Sequence, residues 1–145
     1  MKYLVKIFLT LGIVLWGFEI KAQQDHIGIW EGADNHGSVG AIEMDEDGYA
    51  SFTINNQQFG GREFDKNGVL VKLVYEIDYM ADPIALVLIL KEVSNDMELN
   101  RLNGILTFID EDTIKVRIDF SGNREIRDFE SENGNDVILL KRKTF

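Results

Sequence analysis

His26 and His36 are the only imidazoles in the chain, and there is no cysteine. His36 lies two residues from Asp34 within Gly32-Ala33-Asp34-Asn35-His36-Gly37. That pair could contribute to a metal site, but zinc wants three or four convergent N, S or O ligands. A Gly- and Asn-rich stretch with one His and one Asp reads as a solvated loop. Paired carboxylates recur at Asp45/Asp47, Asp110/Asp112 and Asp128/Glu130. General acid–base chemistry needs a carboxyl with a displaced pKa in a cleft, whereas these pairs fall in turn-forming clusters open to water. Asp45-Glu46-Asp47-Gly48 has part of the look of a calcium loop, yet it lacks the spaced ligands and terminal Glu of one and reads as a hairpin turn. A Ser/His/Asp triad assembles from distant positions, and nothing marks any Ser of this chain as activated. The expectation is a protein that is not an enzyme, with no metal and no cofactor.

The residues that organise the chain are apolar. Ile27-Gly28-Ile29-Trp30-Glu31-Gly32 predicts a first strand on which Gly28 and Trp30 share a face, because side chains alternate with period 2. The small residue leaves room beside a ring that can bury a large apolar area. From residue 37 onward, alternating or continuous apolar segments are separated by Gly, Asn and Asp clusters, the pattern of an all-β meander. Strands are predicted at 39–44 and 49–54 around Asp47-Gly48, with Ala50, Phe52 and Ile54 on one face. The next pair covers 57–64 and 69–78 around Asn67-Gly68. Gly60-Gly61 predicts a bulge or sharp bend in the first of these, and Val69, Val71, Leu73, Tyr75 and Ile77 form an unbroken apolar face on the second. After Pro83, which suits a strand entrance, residues 84–90 are apolar on both faces, so the strand is either packed centrally or has its outer face against another element or a partner. Residues 101–109 follow, then a segment with Ile114, Val116, Ile118 and Phe120 inward, a short piece around Phe129, and a closing strand at 137–143.

The start of the chain has a different character. Lys2 and Lys6 precede the uncharged run at 7–18, and Ala22 follows, the arrangement of a secretory signal peptide cut near Ala22. Such a run is shorter than the roughly 20 residues a membrane span needs, and with no cysteine at the cut there is no site for a lipid anchor. The expected organisation is therefore a signal peptide at 1–22 and one β-barrel domain at 23–145, secreted or periplasmic, without membrane insertion after cleavage. The full chain carries a net charge of −10. Removing the leader takes away three lysines and one glutamate, leaving 12 basic and 24 acidic residues and a net charge of −12. Such a surface repels nucleic acid and anionic membranes; it either keeps an exported protein soluble or offers a face to a basic partner.

About eight consecutive antiparallel strands with short turns favour an up-and-down barrel, in which each strand pairs with its predecessor and no edge is left open. By this point the chain resembles the bacterial lipocalin-like families of the calycin group over about 27–143. The resemblance rests on Gly28-Ile29-Trp30, Tyr75-Glu76-Ile77-Asp78 followed by Pro83, Gly104-Ile105 before Asp112-Thr113-Ile114-Lys115-Val116, Arg124 with Phe129, and Leu139-Leu140-Lys141-Arg142, in that order and spacing. It implies that a basic residue of the last strand, Arg142 or Lys141, lies over Trp30 and closes the barrel as a cation–π pair. It also implies a barrel able to hold a small hydrophobic ligand, with Trp30, Phe52, Leu73, Tyr75, Leu88, Phe108 and Ile118 as candidate lining. Two alternatives stay open: the same side chains can simply fill an eight-stranded interior, leaving an exported interaction or inhibitor protein that acts through its acidic surface, or the two-faced strand at 84–90 can serve assembly.

Overall fold

A computed structural model describes residues 25–33, 39–122, 125–130 and 137–145. The expected leader, Asp34, His36 and Arg124 lie outside them. All regular structure among the described residues is β, in ten strands. They are β1 (Gly28–Ala33), β2 (Val39–Met44), β3 (Ala50–Ile54), β4 (Gln57–Gly60), β5 (Phe64–Lys66), β6 (Val69–Asp78), β7 (Ile84–Glu92), β8 (Glu98–Asp110), β9 (Thr113–Ile118) and β10 (Val137–Arg142). They form one antiparallel sheet in the order β4-β3-β2-β1-β10-β9-β8-β7-β6-β5, so the first strand pairs with the last.

The sheet curls into a nearly closed barrel because its two ends approach each other. Tyr49 bridges Val74, the Tyr75 amide donates to the Gly48 carbonyl at 2.9 Å, and Gly61 links Ala50 to Leu73 through bonds of 2.7 and 2.9 Å. The expectation of about eight strands is corrected to ten. Part of the difference lies at Gly60 and Gly61, both at positive φ (97° and 83°), where the single segment expected at 57–64 breaks into β4 and β5. The first piece pairs with β3 and the second with β6. The Asn67-Gly68 turn, also with both φ positive, joins β5 to β6 as an Asn-Gly hairpin. Asn55-Asn56 does the same between β3 and β4 without any glycine.

Register sorts the side chains. Trp30, Ile42 and Phe52 lie in one cross-strand row, as do Tyr75, Leu88 and Leu102. The inward set forms a single core, from Trp30, Met44, Val71 and Leu86 to Leu106, Ile114 and Leu140, each at most 3% exposed. The expected inward strand at 114–120 ends earlier, at Ile118, and Phe120 lies beyond it, largely exposed. Strand β7 sits between β6 and β8. On its outer face Ile89 is only 1% exposed, with Val74 and Arg101 beside it in register and Val87 and Lys91 two residues away along the strand. The cover that its two-faced pattern called for is thus supplied at Ile89 within this chain.

Candidate functional site

The two ends of the barrel differ in chemistry. At one, the turn preceding β1 is folded across the opening and held by its carbonyls. Arg142 Nη2 donates to the Asp25 carbonyl at 2.7 Å, Trp30 Nε1 to that of His26 at 2.8 Å, and Arg142 Nη1 to that of Ile27 at 2.8 Å. Three successive main-chain acceptors are thus satisfied by two side chains of β1 and β10; the His26 carbonyl is buried and that of Ile27 partly so, where an unmet acceptor costs free energy. The Arg142 guanidinium lies 4.2 Å from the centroid of the Trp30 ring, within cation–π range. Its Nε faces Asp112 Oδ1 at 3.3 Å. Of the two basic residues considered for this contact, Arg142 makes it because it is the register partner of Trp30; Lys141 pairs with Glu31 on the opposite face and is exposed. The room beside the ring at Gly28 is taken up, since a Cβ there would lie 3.0 Å from Arg142 Nη1.

His26, one of the two histidines of the sequence, is buried at this end with both ring nitrogens engaged. Nδ1 is 2.6 Å from the Tyr79 hydroxyl and Nε2 is 3.0 Å from that of Tyr75. The Tyr75 hydroxyl donates to the Asp45 carbonyl at 2.5 Å. That carbonyl can only accept, so the single proton of Tyr75 is committed, and His26 must donate to Tyr75 from Nε2. The bare Nδ1 then accepts from Tyr79, whose oxygen in turn accepts the His26 main-chain N–H at 3.2 Å. Burial holds the His26 pKa below its ordinary value, with the Asp25 charge opposing. Burial also pushes the Tyr75 hydroxyl up to about 12 and raises that of Tyr79. Every polar atom of this chain of bonds has a partner, so the turn at 25–27 is tied to β6, to the turn after it and to the turn between β2 and β3.

At the other end, apolar side chains with inward register are open to water. Ile54 shares a face with Phe52, Phe59 is the register partner of Phe52, and Val69 shares a face with Val71; with Phe120, which lies past the end of β9, they are 41 to 63% exposed. The Phe120 ring reaches to 6.4 Å from that of Phe52, although β9 and β3 are not neighbours in the sheet.

The seven candidate lining residues all belong to the one interior. Trp30, Leu73, Leu88 and Ile118 are buried in the core, and Phe52, Tyr75 and Phe108 are partly buried against it. Trp30 and Phe108 meet edge to face at 6.2 Å, near the sealed end. Tyr75 also belongs to the seal through its hydroxyl, and Phe52 lies toward the open end. The carboxylate pairs shape turns. Asp45 accepts from the amides of Asp47 and Tyr49, Asp110 from Asp112, and Asp128 from Glu130, all within 2.9 to 3.0 Å. Among the described residues no group of three or more His, Asp or Glu side chains converges as a metal site.

Sequence reasoning missed the roles of His26, Tyr79 and Asp112. The nearest signal was the position of His26 four residues before a Trp whose N–H needs an acceptor once buried. What fold and site define together is a class: an all-β antiparallel barrel, nearly closed, sealed at one end by its own chain and apolar at the other. No family model, curated protein or solved structure matches the chain.

Proposed function

We propose that this is an exported, non-enzymatic, lipocalin-like binding protein that takes a small hydrophobic molecule through the end of the barrel opposite Trp30. The observation that carries the reading is the exposure at that end, among the described residues, of apolar side chains on inward strand faces, with Phe120 beside them just past β9. Ile54, Phe59, Val69 and Phe120 face water there, while the far end is occupied by hydrogen-bonded turns. Exposed apolar surface collected at a rim is where a ligand gains most by excluding water. Phe52 and Ile118 would form the wall just inside, with Leu73 and Leu88 below them.

A second reading is favoured by the middle of the barrel. Leu86, Leu88, Leu106 and Ile114 are at most 1% exposed, as in an interior filled by its own side chains. A solid core would leave the acidic surface as the working face, directed at a basic protein. Titration with the neutral fluorophore N-phenyl-1-naphthylamine separates the two. The binding reading expects a saturable fluorescence rise near one probe per chain, weakened several-fold in Phe59→Ser. A rise that never saturates, together with no apolar molecule retained in native mass spectra of protein from its own host, would overturn it in favour of the filled core.

A further inference from the structure

We propose that the turn at residues 25–27 is an acid-sensitive latch: protonation of His26 breaks the seal at the Trp30 end and frees the turn from the barrel. As bonded, His26 has no free acceptor for a second ring proton. Nε2 already donates to Tyr75, whose own proton is committed to the Asp45 carbonyl. A new proton on Nδ1 would point along the 2.6 Å line from which Tyr79 now donates. Tyr79 must then give up the bond it donates and accept with both lone pairs, from Nδ1–H and from the His26 main-chain N–H.

The groups facing His26 offer little to a cation. They are the neutral hydroxyl of Tyr75 from β6, that of Tyr79 from the turn after it, and the main chain of Asp45 from the turn between β2 and β3. From β10 comes the positive Arg142, bonded to the carbonyls on either side of His26 and backed by Asp112 from the turn between β8 and β9. Asp25, next in the chain, is among the described residues the carboxylate whose charge favours a protonated ring, while that of Asp45 acts on the neighbouring Tyr75. A buried imidazolium with one adjacent carboxylate and a guanidinium close by is poorly compensated. The way out is for the turn to swing into water, carrying its three carbonyls away from Trp30 and Arg142. The latch does not depend on whether the barrel carries a ligand.

Trp30 reports the event. The chain has two tryptophans, so the full-length protein with Trp16→Phe leaves Trp30 as the sole indole. Its emission is followed from about pH 8 to about pH 5, across the range in which histidine titrates. The expected result is a reversible red shift with its midpoint below the ordinary histidine value of 6.5, while the circular dichroism of the sheet persists. In Tyr79→Phe, which removes the opposing hydroxyl proton, the midpoint moves upward toward that value. In His26→Gln, which keeps a donor for Tyr75 but cannot titrate, the shift disappears; in His36→Ala it remains. Three outcomes overturn the latch: no change at Trp30 before global unfolding, the same transition in His26→Gln, or an unmoved midpoint in Tyr79→Phe. The last decides the matter if His26→Gln fails to fold.

Discussion

Arg142 stacks on Trp30 as its register partner across β1 and β10 and, from the same guanidinium, holds the carbonyls of Asp25 and Ile27. One side chain therefore joins the two ends of the domain and folds the turn between them over the barrel. A planar fork with several donors does both tasks at once, which a lysine ammonium cannot.

Replacing Arg142 by Ala removes the stacking and leaves the partly buried Ile27 carbonyl without its donor, and should cost about 1 to 4 kcal/mol of stability. Arg142→Lys should recover less than half of that loss, since it keeps charge but not the fork. Urea denaturation of the three proteins measures it. Equal stability of the Lys variant and the parent would mean that charge alone matters.

Gly32 is in close contact with the last strand: a Cβ there would lie 2.6 Å from the Leu139 carbonyl oxygen and 2.7 Å from Leu140 Cδ2. Since main chain cannot give way as a flexible side-chain tip can, Gly32→Ala should destabilise by about 1 to 3 kcal/mol. Gly40→Ala, whose nearest neighbour is the Thr53 oxygen at 3.5 Å, should change stability by less than about 0.5 kcal/mol. Thermal melts of the pair give the comparison.

Tyr75 should ionise late. Its hydroxyl pKa is raised from 10.0 to about 12 by burial first, with the Asp45 charge adding to it. A raised acid pKa means that the folded state prefers the neutral phenol, so the associated stability is complete below pH 10 and is lost as pH climbs toward 12. Absorbance at the phenolate band should show a last tyrosine step near that upper value, absent in Tyr75→Phe. A last step unchanged by the substitution would assign it elsewhere.

Ile89 tests whether the outer face of β7 is closed within one chain. Fully buried there, its replacement by Ala should cost about 2 to 4 kcal/mol in the monomer. Asp96, exposed and paired with Lys72 at 2.6 Å, should cost under about 1 kcal/mol when changed to Asn. Denaturation at two protein concentrations checks both, because a midpoint that rose with concentration would instead point to cover by a second copy.

Much of this fold was legible in the order of residues. The alternation of Ala50, Phe52 and Ile54, or of Ile114, Val116 and Ile118, identifies strands and their inner faces because the period of a strand is local. Asp47-Gly48 and Asn67-Gly68 identify turns because backbone at positive φ favours glycine and asparagine. The same locality explains the miscounted strands: Gly60-Gly61 signalled a bend, but whether β4 and β5 stay one strand depends on their pairing with different neighbours.

The sealed end was not legible, and His26 shows why. Its partners Tyr75 and Tyr79 lie 49 and 53 residues away along the chain, and the arginine holding the next carbonyl lies 115 residues from it. By itself the sequence determined an all-β chain, its turns and the inward faces of its strands, since each follows from the conformational preferences of a few adjacent residues. Only the tertiary structure decided that an apparently idle histidine is buried and doubly bonded, which basic residue covers Trp30, and which end of the barrel presents apolar side chains to water. Those outcomes depend on curvature and register summed around the whole sheet, and no short stretch of chain contains either.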